Sequence, residues 1–213
     1  MKTICLNIDT QDDFMRDYGN LYIPNAEKIE SNLEKLTKLA RKKKLQIINT
    51  GDFHTLEDEE ISETPDYINT FPAHCVIGTS GIEFVDATKP INPHVIDWRN
   101  PNIDLEQALK SPEIIIYKNK FDMFAGNPYA EKLIDKINPD RAIVWGVASN
   151  VRVDYAIQGL LRKGVKVYVP VNAVEGLPNL PSPFKKWQGQ GVQLTTKQGI
   201  YELLGIRETC LEI

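Results

Sequence analysis

The chain has little of what cross-linked, membrane-spanning or nucleic-acid-binding proteins need. Cysteine occurs three times in 213 residues, an odd number at wide spacing. That argues against a disulfide framework and for a reducing, cytoplasmic compartment. No apolar run approaches the length needed to cross a bilayer, so no membrane partner is expected. The first residues, MKTICLNID, lead into a strand pattern rather than a signal peptide. A formal net charge of −4 offers nothing to a nucleic-acid backbone. The one basic run, residues 41–44, ends a helical pattern, where cations suit the helix dipole and solvent. Repeats and low-complexity segments are also lacking, and the Pro-rich residues 177–184 read as a surface loop. What is left is an ordinary composition, 42% hydrophobic and 25% charged, sized for one domain over residues 1–213.

The most informative stretch is residues 142–174. Residues 142–147 are apolar and β-branched, too short for a helix, and read as a buried strand. After Ala148, Ser149 and Asn150 comes an amphipathic segment, with Val153, Ala156, Ile157, Leu160 and Leu161 at helical spacing and Gly164 at the stop position. Residues 165–171 form a second strand. Strand, turn, helix and strand in this span make a βαβ unit with parallel strands. Chemistry in such folds gathers at the carboxyl ends of the strands, here residues 148–152.

Further strands are expected at residues 3–8, 45–49, 113–117 and 191–194. Helices are expected from Asn25 as cap through Ala26, Ile29, Leu33, Leu36 and Ala40, then over 129–137 and 196–204. Alternating strands and helices predict an α/β doubly wound fold with a mostly parallel sheet and helices on both faces. Asp9 follows the first strand within DTQDDFM, whose carboxylates read either as a solvated loop or as an active-site acid or base. Asp52 and His54 lie two apart beyond the second strand, able to point to one side, and His74 comes twenty residues later. Carboxylate and imidazole suit a borderline divalent metal, and the acidic residues 57–63 could add a ligand. Lys118 closes the third strand on the same rim. His94 has no comparable neighbours and reads as structural.

These motifs are similar, in order, to those of the nicotinamidase/isochorismatase-like cysteine hydrolases. Asp9, Gln11, Asp13 and Phe14 resemble the D-x-Q-x-D-F opening, and Asp52-Phe-His54 resembles the metal motif of the nicotinamidase branch. Phe71-Pro-Ala-His74-Cys75 through Gly81 resembles W-P-x-H-C-x-x-G-T-x-G, with phenylalanine for tryptophan. Lys118 through Phe124 resembles the lysine segment, and Gly146 through Val153 resembles the nucleophile turn G-V-A-T-D-x-C-V.

Carried over residue by residue, the resemblance implies a triad of Asp9, Lys118 and a cysteine whose place is taken by Arg152. Ala148 and Val151 fall in the turn whose backbone N–H groups hold the oxyanion, beside a cis peptide. Asp52, His54 and His74 match metal ligands, with Glu63 or Glu60 completing the set for zinc, or for iron or manganese. An arginine is not a nucleophile. The expectation is therefore a catalytically impaired family member that binds a small-molecule ligand or serves as an assembly subunit, as a homo-oligomer. The alternative is a hydrolase of an amide or related small substrate, with a metal-bound water as nucleophile, Asp9 as base and Arg152 as an anion clamp. Arg152 is expected to pair with Asp9 in a bidentate salt bridge.

Overall fold

Strand β1 (Thr3–Ile8) shows how the core is divided. Ile4, Leu6 and Ile8 enter one apolar cluster and Cys5 the other, as the two-residue repeat of a pleated strand requires. Strand β5 (Arg141–Val147) behaves alike, with Ala142 and Val144 on one face and Ile143, Trp145 and Val147 on the other. Strands apolar on both faces must be covered by helices on both faces.

The computed structural model describes residues 1–206; Cys210 lies outside them. Between β1 and β5 come α1 (Asp12–Met15), α2 (Glu30–Lys42), β2 (Gln46–Asp52), β3 (His94–Asp97), α3 (Leu105–Lys110), β4 (Glu113–Lys118), α4 (Met123–Gly126) and α5 (Ala130–Ile137). After β5 follow α6 (Arg152–Arg162), β6 (Lys166–Pro170), β7 (Val174–Glu175), α7 (Phe184–Gly189), β8 (Gln193–Thr195) and α8 (Lys197–Leu203). The sheet runs β3-β4-β2-β1-β5-β6-β8, with β7 beside β5, and these pairings are parallel. Helix α2 brings Leu33 and Leu36, and α8 brings Ile200 and Tyr201, to the Cys5 face. The opposite face receives Ala108 of α3, Leu133 and Ile134 of α5, and Ile157 and Leu160 of α6.

The expected doubly wound α/β architecture is therefore present, and several local readings need correction. Strand β2 extends to Asp52, so that carboxylate sits in the sheet rather than after it. The edge strand β3 and helix α7 fall where no strand or helix was expected. Trp187 of α7 is fully buried, and its indole N–H donates to Asp154 Oδ1 at 2.8 Å. Asn25 is left-handed and makes no side-chain cap; a 3-10 turn over Ala26–Ile29 precedes α2. Arg41 is not merely solvated, because its guanidinium clasps the buried Glu113 at 2.7 and 3.2 Å.

Strand order reverses between β1 and β5, the switch point at whose carboxyl ends doubly wound folds have their crevice. Gly146 makes the two strands fit there: its φ is +119°, and a Cβ would lie 2.1 Å from the Ile8 carbonyl oxygen. Gly146→Ala is expected to destabilise the protein by about 1–3 kcal/mol from backbone strain, with the clash in addition. A urea unfolding curve with an unchanged midpoint would show that the strands part at no cost.

Candidate active site

Four adjacent strands, β4, β2, β1 and β5, end side by side, and each delivers one charged residue to the crevice. Lys118 is the last residue of β4 and stands in register with Asp52, the last of β2. Asp9 follows β1 directly. Arg152 opens α6, just beyond β5. Asp9 and Asp52 are fully buried, Lys118 is 1% exposed and Arg152 is 4% exposed.

Two carboxylates and two cations interlock here. Lys118 Nζ lies 2.8 Å from Asp9 Oδ2 and donates a short hydrogen bond to Asp52 Oδ1. Arg152 Nε donates to Asp52 Oδ2 at 2.9 Å and lies 3.4 Å from Asp9 Oδ2. The expected Arg152–Asp9 ion pair is thus present, through one contact rather than two, and the guanidinium's hydrogen bond goes to Asp52. Asp9 is already engaged by Lys118 and by the Thr50 hydroxyl, which donates to its Oδ1 at 2.5 Å. The long arginine side chain reaches past it. The guanidinium carbon is 4.3 Å from the Phe14 ring centre and 5.3 Å from that of Phe121, so two aromatic faces hold it.

The two carboxylates differ electrostatically. Burial raises Asp9, against Lys118 and with the nearby charge of Asp52, and its pKa lies above the usual carboxylate value. Burial also opposes ionisation of Asp52, but Lys118 and then Arg152 outweigh it and hold Asp52 well below that value. Asp52 is the fixed anion of the pair and Asp9 the more basic one.

DTQDDFM is no solvated loop. Gln11 is fully buried and clamps the backbone of Asp52, donating to its carbonyl at 2.8 Å and accepting from its N–H at 2.7 Å. Asp13 accepts from the N–H of Cys75 at 2.6 Å and of Asn20 at 3.0 Å, which ties the residue 75 loop to this edge. The same loop pairs with the chain leaving β2: His54 N–H donates to the Cys75 carbonyl, and Ile77 N–H to the His54 carbonyl.

That pairing brings His54 and His74 together with Asp52, as their residue types led one to expect. One ligand atom from each lies within 4.8 Å of the others. Each imidazole is oriented from behind. His54 Nδ1 meets Asp58 Oδ2 at 3.2 Å, and His74 Nδ1 meets the Pro72 carbonyl at 2.8 Å, so both turn Nε2 inward. Among the described residues His54 Nε2 is buried without a hydrogen-bond partner, and Arg152 Nη2 lies 3.3 Å from His74 Nε2. The cluster is an Asp/His/His set able to hold a metal by residue type, with a guanidinium already against two of its members.

Glu63, expected as a further ligand, is exposed and stands outside this cluster, on a surface hollow shared with Leu56, Tyr67 and Pro72. Glu60 is the buried one, yet it faces Phe121, whose N–H donates to Oε1 at 2.9 Å, while Oε2 has no hydrogen-bond partner among the described residues. Of the turn residues, Val151 N–H donates to the Ala148 carbonyl at 3.1 Å and is not free for an oxyanion as it stands. The Val147–Ala148 peptide is cis. Gln11, Phe14, Asp58 and Phe121 were not singled out for these roles, although the spacing of Gln11 and Phe14 from Asp9 was visible.

Comparison with known proteins bears on the fold. Residues 97–188 match the family model described as Isochorismatase domain. A stretch of 38 residues is 45% identical to the nicotinamidase/pyrazinamidase of Mycobacterium tuberculosis, covering 18% of this chain and about a fifth, 20%, of that relative's length. The structure superposes on the pyrazinamidase of Pyrococcus horikoshii in complex with zinc with a TM-score of 0.71 and 22% identity, over 92% of this chain and 99% of that one. An isochorismatase family protein from Desulfovibrio vulgaris gives 0.74 and 17%, over 95% and 98%. These likenesses show the isochorismatase-like hydrolase fold.

Two outcomes follow from the charges. Asp52→Asn leaves Lys118 and Arg152 to share Asp9 and should cost about 3–5 kcal/mol, more than Asp9→Asn, by denaturant unfolding. Equal losses would mean that Asp52 is not the principal anion. Glu60, pushed up by burial to about 7 from 4.5, keeps its proton in the folded state while the unfolded chain releases it. Its contribution is therefore complete below pH 4.5, falls as the pH rises to about 7, and is flat above. Glu60→Gln should remove that decline, gaining on the order of 2–3 kcal/mol relative to wild type between those limits. A difference independent of pH would place the titration elsewhere.

Proposed function

We propose that this chain, which has the isochorismatase-like hydrolase fold, is a member of the isochorismatase-like superfamily that does not carry out thiol-based hydrolysis and uses its crevice to bind a small molecule. The observation that carries the reading is Arg152. At the position where the resemblance places a thiol, a buried guanidinium lies against Asp52, Asp9 and His74. It fills the point from which a nucleophile would act and cannot itself attack a carbonyl.

The described cysteines do not replace it. Cys5 lies within β1 on the sheet face packed by α2, and burial pushes its thiol far up. Cys75 is fully buried, its Sγ 3.5 Å from the Gly81 carbonyl, and burial followed by the charges of Asp52 and Asp13 raises its thiol well above the ordinary value. A thiol that holds its proton is a poor nucleophile. The relatives named nicotinamidase and pyrazinamidase suggest the ligand class, a small planar amide or the acid derived from it. Asp9, the more basic carboxylate, and Lys118 would face such a ligand, and Arg152 would meet its anionic end.

The test is ammonia release from nicotinamide. Wild type should give no turnover that cysteine alkylation abolishes. Arg152→Cys puts a thiol beside Asp9 and Lys118 and should gain alkylation-sensitive release, since proton transfer by a positioned group is worth roughly 10²–10⁴-fold. Alkylation-sensitive turnover by the wild type would overturn the reading.

A further inference from the structure

We infer that the Arg152 guanidinium is the resident cation of the Asp52–His54–His74 cluster, so that the protein takes up no divalent metal there until this side chain is removed. The inference concerns the metal alone and stands apart from the fate of the hydrolytic reaction.

The residues test the point directly. Asp52 Oδ2 is 3.8 Å from His54 Nε2 and 3.5 Å from His74 Nε2. Ligands held at about 2.0–2.2 Å from one zinc ion can sit no more than about 4.4 Å apart. The donor set is therefore close to the spacing that an ion would draw in. Both imidazoles are oriented through Nδ1 by Asp58 and the Pro72 carbonyl, the arrangement that leaves Nε2 as an acceptor. Two such nitrogens beside a carboxylate call for a positive charge among them.

That charge is already supplied from within the chain. Arg152 Nε takes Asp52 Oδ2, the oxygen nearest the two imidazoles, and Nη2 reaches His74 Nε2. The other carboxylate oxygen is held by Lys118. The replacement is imperfect, since a planar fork reaches two acceptors but not the third. His54 Nε2 is accordingly left buried with no hydrogen-bond partner among the described residues.

Charge count opposes both cations at once. Asp9 and Asp52 balance Lys118 and Arg152, and all four are at most 4% exposed. The other acids at hand are already placed, Asp58 behind His54 Nδ1 and Glu60 against Phe121, so a dication would add positive charge beyond what Asp9 and Asp52 balance, in a site cut off from water. The metal and the arginine are alternatives.

The experiment compares metal uptake. Chelator-stripped protein is equilibrated with zinc, passed through a desalting column and analysed for metal per chain. Wild type should retain well under one equivalent. Arg152→Met, which keeps an unbranched side chain against Phe14 and Phe121 but has no charge, should retain one equivalent, lost again when His54→Ala is added. With cobalt(II) the variant should show ligand-field bands that wild type lacks. Zinc at about a hundred times its dissociation constant should raise the variant's Tm by about 5–10 °C and leave wild type unmoved. Arg152→Lys, which keeps a cation, should stay metal-free. One equivalent in wild type, abolished by His54→Ala, would overturn the inference. So would a folded Arg152→Met that binds none. Should Arg152→Met fail to fold, Arg152→Gln replaces it, and the wild-type measurement remains decisive on its own.

Discussion

The site depends on the neutrality of one buried charge set. Asp9, Asp52, Lys118 and Arg152 have been taken almost wholly out of water, and no one of them could stay ionised there alone. Each is held by the others, so the set is tolerated only when complete. Four neighbouring strands end in the same crevice, which is what allows a complete set to form. The parallel sheet is therefore the device that sums the charges to zero, as well as the scaffold that carries them.

The surrounding polar residues keep this arrangement in register. Gln11 fixes the backbone of Asp52 through both of its amide atoms, and Asp13 anchors the loop that brings His74. Gly81 permits that anchor, since a Cβ there would lie 2.0 Å from Asp13 Oδ2. Asp58 and the Pro72 carbonyl then aim the two imidazoles. Such hydrogen bonds contribute individually about 0.5–1.5 kcal/mol, more where an ionised group accepts. Their larger effect is to deny the buried charges any alternative geometry.

Much of this was legible in the sequence, and the boundary of what was legible has a physical cause. The apolar, β-branched runs located β1, β2, β4, β5 and β6, because strands buried on both faces have no polar face to confuse the pattern. β3 escaped notice because it is a short edge strand whose Val95 is exposed. α7 escaped because its apolar content is concentrated in Phe184 and Trp187. Asp9, Asp52, His54, His74, Lys118 and Arg152 all followed from strand ends and motif order. Which anion Arg152 would choose did not follow. Sequence order does not reveal that Lys118 and Thr50 have already engaged Asp9, nor that an arginine is long enough to pass it. Glu63 was misplaced for a related reason, as five acidic residues in one loop, Glu57 through Glu63, cannot be ranked by burial before the loop is folded.

A neutral thiol at position 152 would leave Asp9 and Asp52 facing Lys118 alone, one negative charge in excess beside two inward-turned imidazoles. That is a site with room for a cation from solution. An arginine there supplies the positive charge that offsets this excess, and Phe14 and Phe121 accept its planar head. Position 152 thus sets two properties that look independent on paper, the presence of a nucleophile and the appetite of the cluster for metal. They are coupled because the carboxylate that pairs with the guanidinium, Asp52, is also the carboxylate of the imidazole cluster.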